Sequence, residues 1–244
     1  MDWRIWISVW VLFVVQAAHG AEEPEEESVL LGWETAGLEG YGPSPWEAPS
    51  FVATGLRLEG GLLRGPGLDT GGTAAADIWG GRGFAASTRE DAIAQGQFIS
   101  FMIAPEEGFS FSLTGIEQNF RRSGTGPEFF QWQAQIGEAT EFINLGSSWS
   151  YTGTATEGEA QPSIALSHMP ELQSIDEAVG LRLILWGGAS TGTWGFGRLS
   201  GPDLVFTGAV IPEPSVYAAV FGGSTLLAAW LLRRRRTGGI RKAK

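Results

Sequence analysis

The 244-residue sequence contains no cysteine, and its only lysines lie at positions 242 and 244. The absence of cysteine excludes disulfides, thiolate metal sites and thiol nucleophiles, so a folded domain must be stabilised by packing alone. Histidine is nearly absent as well, with His19 near the amino terminus and His168 in mid-chain. A zinc site is therefore not expected. A Ser-His-Asp triad is not expected either, because no G-x-S-x-G motif accompanies His168.

Basic residues are scarce throughout the interior of the chain. Residues 21–211 contain 25 acidic and 8 basic side chains, a net charge of −17. Such a negative field repels the phosphates of nucleic acids, so we expect no nucleic-acid partner. The carboxylate pairs Glu106–Glu107 and Glu157–Glu159 could belong to a glycosidase, but their glycine-containing segments favour solvated surface charge. We therefore predict no catalytic residue.

The amino-terminal segment is typical of a secretory signal peptide. Arg4 precedes a short apolar stretch, and small residues stand before a predicted cleavage between Gly20 and Ala21. An uncleaved anchor helix is the alternative, but the apolar stretch is short for a hydrocarbon layer of about 30 Å. We predict a signal peptide over residues 1–20 and an acidic, disordered leader over residues 21–27. Signal peptidase and the secretion machinery are the partners that this implies.

The carboxyl terminus combines a proline-rich tripeptide, an apolar run and a basic cluster. The tripeptide is Pro212, Glu213 and Pro214, and the cluster is Arg233, Arg234, Arg235 and Arg236. The apolar run from Val216 to Leu232 has 17 residues, so a helix of about 25 Å would span a bilayer only marginally. The arginines would stay in the cytoplasm and stop translocation. We predict a single transmembrane helix, with residues 237–244 as a cytoplasmic basic tail.

In this order, at the end of an exported chain, these elements resemble the PEP-CTERM sorting signal, over residues 211–236. The resemblance implies processing at or near the tripeptide by the membrane enzyme exosortase, in Gram-negative bacteria that make exopolysaccharide. The chain would cross the inner membrane and be anchored transiently, with its carboxyl terminus in the cytoplasm. It would then reach the cell surface or the extracellular matrix. A simple carboxyl-terminal anchor is the alternative.

Between the two ends, apolar and polar residues alternate with the period of a β-strand. The segments FSFSLT and FQWQAQI place every second apolar side chain on one face. Further strands are expected over residues 30–33, 56–63, 98–103, 116–122, 149–154, 163–166, 181–186 and 204–210. Ser87 and Glu90 form a capping box that predicts one short helix ending near Gly96. The pattern predicts an all-β domain, an antiparallel, jelly-roll-like sandwich.

Several segments of this region are similar to the β-sandwich ectodomain found among PEP-CTERM proteins. They are LLGWETAG, QFISFMIAPEEGFSFSLTGI, RRSGTGP and GRLSGPDLVFTG. The similarity covers residues 28–210 and implies a fold, with no activity attached to it. Before the last strand the chain departs from the family pattern, because Gly201 and Pro202 are inserted there.

Three residues are candidate glycan contacts, namely Trp194, Arg121 and Arg122. An indole ring stacks well on a sugar, and Trp194 lies in a glycine-rich segment interpreted as a loop. The two arginines are a cationic pair in an acidic domain. The competing interpretation is that they end a strand and bind loop carbonyls or the carboxylate of Glu128.

Two classes of function follow from these patterns. The first is a non-catalytic cell-surface or matrix protein, sorted by an exosortase and associated with exopolysaccharide. The alternative is a β-sandwich that binds or hydrolyses a glycan, as lectins and glycosidases do. We expect no cofactor and no metal, and calcium in the loops around Asp69, Asp77 and Asp203 is an alternative without a recognisable ligand pattern.

Overall fold

The computed structural model describes residues 28–154 and 156–213. The strands of this region are β1 (Ser28–Trp33), β2 (Phe51–Val52), β3 (Leu56–Arg64), β4 (Ile78–Arg82), β5 (Phe98–Pro105), β6 (Phe109–Arg122), β7 (Phe129–Ile136), β8 (Ile143–Ser150), β9 (Glu159–Ala160), β10 (Ile164–Ala165), β11 (Val179–Trp186), β12 (Thr193–Gly197) and β13 (Leu204–Pro212). One α-helix, α1 (Arg89–Ala94), and a 3-10 turn at Pro170–Leu172 complete the described elements. Neither is long and apolar enough to cross a bilayer. The predicted signal peptide, acidic leader and transmembrane helix lie outside the described residues.

The strands form two antiparallel sheets. One sheet has the order β2-β1-β13-β6-β12-β4, with the short strands β9 and β10 also paired to β6. The second has the order β3-β5-β11-β7-β8. The predicted antiparallel, mostly β architecture with one short helix is therefore confirmed.

Strand β6 pairs with four other strands of the larger sheet. It is one continuous strand where two strands were predicted. Its Ile116 pairs with β13 and with β10, and its Phe120 pairs with β12 and with β9, so β6 has neighbours on both sides. A bulge separates its two halves, because Thr207 pairs with Gly115 whereas Gly208 pairs with Leu113. The extra residue shifts the alternation by one position, and both halves thereby point their apolar side chains inward.

Aromatic side chains fill the space between the sheets. Trp33, Phe101, Trp132 and Phe206 are all nearly inaccessible to solvent. The ring of Phe101 meets the rings of Trp33 and Phe206 edge to face, at centroid distances of 5.0 and 5.1 Å. Such aromatic pairs stabilise a core by more than the burial of their surface area alone. This packing stabilises a domain that has no disulfides.

Helix α1 covers part of the outer face of the five-stranded sheet. It begins one residue later than predicted, because the hydroxyl of Thr88 accepts the amide of Asp91 and serves as the N-cap. Buried Ala92 of the helix packs with Ile184 of β11 in a small apolar cluster. The helix therefore leaves the rest of this sheet face open.

Candidate ligand-binding groove

A groove with a volume of about 580 Å³ lies on the open part of this outer face. Strands β3, β5, β7 and β11 supply its floor, and Phe142 from the loop between β7 and β8 closes one side. Two cross-strand rows run through this region of the face. They are Ser100–Arg182–Gln133 and Met102–Gly180–Gln135.

Gly180 leaves a notch in the floor of the groove because it has no side chain. A Cβ atom placed there would have no heavy atom nearer than 3.9 Å. The backbone at this position is ordinary extended strand, so the missing side chain is not required by strain or by a close neighbour. Its absence leaves open space between Met102 and Gln135.

Arg182 is held in one orientation by aromatic rings and by an amide. The carbon of its guanidinium lies 3.6 Å from the ring centroid of Phe142 and 5.7 Å from that of Phe98. Its Nε and Nη2 atoms donate to Oε1 of Gln133 at 2.8 and 2.6 Å. The Nε2 atom of Gln133 in turn donates to Oδ1 of Asn144 at 2.7 Å. This chain of contacts, which we call the Arg182 network, fixes the direction of each amide.

Burial lowers the pKa of Arg182 below its ordinary value. The shift reflects the cost of removing a cation from water where no carboxylate compensates it, since Arg182 makes no ion pair with any described residue. An arginine stays protonated at neutral pH despite such a shift. The groove therefore contains one fixed positive charge.

The remaining lining is mostly apolar, and its other polar residues are Ser100, Gln135 and one acid. Leu63 and Met102 are 37% and 41% exposed, high values for large apolar side chains on a sheet. Glu59 is the one carboxylate among the described lining residues, and Arg57 pairs with it at 2.9 Å. The groove thus combines apolar contact area with a small oriented polar group, which is typical of ligand pockets.

Trp194 is not an exposed glycan contact, so that prediction is wrong. It lies in β12, is 1% exposed, and packs edge to face on Phe196 at a centroid distance of 4.7 Å. The glycines around Trp194 led to the prediction of a loop. They belong instead to a strand pairing in which Gly195 of β12 lies opposite Gly80 of β4.

The two predicted arginine contacts lie on β6, in the other sheet. Arg122 is 2% exposed and donates to the carbonyl of Gly126 at 2.7 Å, with the carboxylate of Glu128 at 3.7 Å. The structure thus agrees with the competing interpretation, in which this arginine binds a loop carbonyl and Glu128. Arg121 is half-buried, and its Nε atom has no hydrogen-bond partner among the described residues. Neither side chain lines the groove.

The carboxylates considered for catalysis are all exposed. Glu106 and Glu107 lie in the turn between β5 and β6, while Glu157 and Glu159 lie next to and within β9. His168 is exposed in a turn. None of these residues lines the groove.

The acidic residues considered for calcium have separate roles. Asp203 is 1% exposed, and its Oδ2 atom accepts the amide and the hydroxyl of Thr35 at 3.0 and 2.7 Å. Burial raises the pKa of Asp203, more than these hydrogen bonds lower it. Asp69 is paired with Arg82. Within residues 28–154 and 156–213, no three His, Asp or Glu side chains come close enough together to hold a metal ion.

The first two residues of the predicted sorting motif continue the last strand. Pro212 pairs with Phe109 at the end of β13, and the amide of Glu213 donates to the carbonyl of Gly108 at 2.8 Å. Pro214, the arginine cluster and the signal cleavage site at Gly20 and Ala21 lie outside the described residues. The sandwich therefore runs directly into the motif without a linker.

Comparison with known proteins identifies no family for this chain. No protein-family model matches it, and no curated protein matches it. Among solved structures it is similar to a family 29 carbohydrate-binding module, with 10% identity and a TM-score of 0.38, over 75% of this chain and 89% of that one. It is also similar to the module CBM61 in complex with β-1,4-galactotriose, with 10% identity and a TM-score of 0.28, over 65% and 87% of the two chains. At these scores neither similarity assigns a ligand.

Proposed function

We propose that this is an exported, non-catalytic surface protein whose sandwich binds a glycan in the groove of the five-stranded sheet. The observation that carries the proposal is the Arg182 network, set among exposed apolar side chains and the ring of Phe142. Sugars present apolar C–H faces together with hydroxyl groups. A groove with a ring, apolar contacts and oriented donors complements both.

The polar groups of the groove are preorganised. Each amide of the Arg182 network already has a partner, so little side-chain freedom remains to be lost when a ligand binds. Exposed Leu63 and Met102 gain by being covered. Both features favour a binding surface over an ordinary solvated sheet face.

Binding is a better account of this groove than glycoside hydrolysis. A glycosidase needs two carboxyl groups about 5 to 10 Å apart across the scissile bond. Among the described lining residues Glu59 is the one carboxylate, and its charge is engaged by Arg57. The enzyme alternative therefore lacks a second acid in the groove.

The test fills the notch in the floor. Gly180→Leu places a side chain into the groove from a position where a Cβ atom meets no close neighbour, so the fold should be retained. The matched control is Gly124→Leu, because Gly124 also has open space around it and lies in a turn away from the groove. We expect the wild type and Gly124→Leu to bind the same glycan on an array and in calorimetry, and Gly180→Leu to lose at least ~10-fold in affinity. Unchanged binding by Gly180→Leu, or no glycan bound by the wild type, would contradict the proposal.

We also propose that an exosortase sorts the protein through Pro212, Glu213 and Pro214. The order of signal peptide, sandwich, tripeptide, apolar run and arginine cluster in the sequence supports this. The strand geometry adds a condition. An enzyme that takes the tripeptide in extended form must displace the contact between Glu213 and Gly108, or act beyond it.

Mass spectrometry of the native carboxyl-terminal peptide tests the sorting proposal. We expect a product that ends near the tripeptide in cells with the processing enzyme, and an unshortened product in cells without it. The same full-length product at the surface of both kinds of cell would exclude sorting. The amino-terminal peptide of the same sample should begin at Ala21, and a retained Met1 would exclude signal cleavage.

A further inference from the structure

We infer that the glycan bound in the groove is acidic, with carboxylate groups such as those of uronic acids, and that Arg182 binds one of them. This inference rests on the proposed function, since it assumes that the groove takes a glycan. It adds the chemical class of that glycan. It also moves the anion-binding role from the predicted arginines of β6 to a residue of β11.

The distribution of ion pairs singles out Arg182. The sandwich has eight arginines among many more acids, and five of the eight are paired with carboxylates, namely Arg57, Arg82, Arg89, Arg122 and Arg198. Of the other three, Arg64 donates to the carbonyls of Tyr41, Gly42 and Gly80 and lies over the ring of Trp79. Arg121 lies on the opposite sheet. Arg182 is the described arginine that lacks a carboxylate and also lines the groove.

The free hydrogen-bonding capacity of the Arg182 network consists of donors. Oε1 of Gln133 is occupied by two guanidinium N–H groups, and Oδ1 of Asn144 is occupied by Gln133. Gln133 is 6% exposed and neither it nor Asn144 lines the groove, so the hydrogens without a partner in these contacts that a ligand can reach are those of the Arg182 guanidinium. A ligand group with acceptors and no donors matches this surface. A carboxylate is such a group, whereas a hydroxyl also carries a donor that would find no acceptor in these contacts.

The rings add directional preference. Stacking on Phe142 fixes the plane of the guanidinium, and the bonds to Gln133 occupy one of its edges. A planar cation held in this way presents its remaining edge for the parallel, two-bond contact that carboxylates make with arginine. The same contact would offset the cost that burial imposes on the unpaired charge.

The net negative charge of the domain does not outweigh this local attraction. At physiological ionic strength, charges further apart than about 8 Å are largely screened from one another. The lining acid Glu59 and its partner Arg57, which is not itself a lining residue, form a pair that is neutral overall. Glu141, next to Phe142 in the chain, is exposed and therefore screened by solvent.

The experiment compares acids with their own esters. Oligosaccharides of polygalacturonate and of alginate are titrated calorimetrically against the full-length protein at an ionic strength of about 0.15 M, in parallel with their methyl-esterified forms. We expect at least one acidic form to bind ~10-fold or more tightly than its ester, because a charge-assisted contact is lost on esterification. Equal binding of acid and ester, or binding of neutral glycans alone, would overturn the acidic class while leaving the proposed function intact. No binding of any glycan would overturn both.

Two variants assign the preference to Arg182. Arg182→Gln should bind acid and ester equally, and Arg182→Lys should keep only part of the preference, because it retains the charge without the two-bond geometry. Arg89→Gln is the matched control, since Arg89 is an arginine of α1 that is paired with Glu90. A full acid preference in a folded Arg182→Gln variant would exclude the assignment. If that variant does not fold, the comparison of acid with ester on the wild type still decides the class of ligand.

Discussion

Replacing Arg122 tests whether the RRSGTGP segment is structural. Arg122 is 2% exposed, and its Nη2 atom donates to the carbonyl of Gly126 at 2.7 Å. Hydrogen bonds from a charged donor contribute about 1.5–3 kcal/mol, and removal of the donor leaves a buried carbonyl without a partner. The 3.7 Å contact with Glu128 adds little, because that carboxylate is 42% exposed and regains water. We therefore expect Arg122→Met to lower the free energy of unfolding by about 2–3 kcal/mol.

Urea denaturation followed by tryptophan fluorescence measures the effect. For a domain of this size a loss of 2–3 kcal/mol corresponds to a melting temperature lower by roughly 4–12 °C. Glu128→Gln is the companion variant, and it should cost less than about 1 kcal/mol, because the exposed member of the pair is the one removed. A stability of Arg122→Met within about 0.5 kcal/mol of the wild type would refute the structural role. Equal losses in the two variants would show that the ion pair, rather than the loop carbonyl, is what Arg122 supports.

Three further predictions concern the core, a buried acid and the end of β13. Because burial raises the pKa of Asp203, the wild type loses stability as the pH rises from the unfolded value of about 4 through the folded-state value. The stability of Asp203→Asn relative to the wild type should therefore increase over that range, and a difference that does not change with pH would contradict this. Trp132→Phe removes the indole N–H that donates to Gln118 at 3.0 Å, and should cost about 2–3 kcal/mol in urea denaturation, whereas a cost near zero would show that this bond is unimportant. The amide of Glu213, bonded to Gly108, should exchange with deuterium more slowly than in an unfolded peptide, and unprotected exchange would separate the motif from the sheet.

The strands that sequence predicted correctly are those with one buried face. Strands β7 and β11 place alternate apolar residues in the core, so their period of two is visible in the sequence. The bulge near Gly115 hid the continuity of β6, because the extra residue reverses the phase of the alternation. Strands β4 and β12 were missed because glycine is a usual sign of a loop. Gly80 and Gly81 follow buried Trp79 in β4, and glycines alternate with buried Trp194 and Phe196 in β12.

The groove could not be predicted from the sequence. Its parts come from β3, β5, β7, β11 and one loop, and their neighbourhood depends on a strand order that no local pattern encodes. The segment FQWQAQI did place Gln133 on the face opposite the core. What the pattern could not show is that Arg182, nearly fifty residues away, pairs with it across the sheet.

The groove and the end of β13 are connected through β5. Glu213 bonds to Gly108 in the turn that follows β5, whereas the groove is lined by Phe98, Ser100 and Met102 from the first five residues of that strand. Met102 precedes Gly108 by six residues, so even a fully extended chain would separate them by no more than about 22 Å. If the tail is attached as proposed, a glycan bound in the groove would therefore be held within a few nanometres, on the order of the size of one domain, of the point where the chain leaves the sandwich.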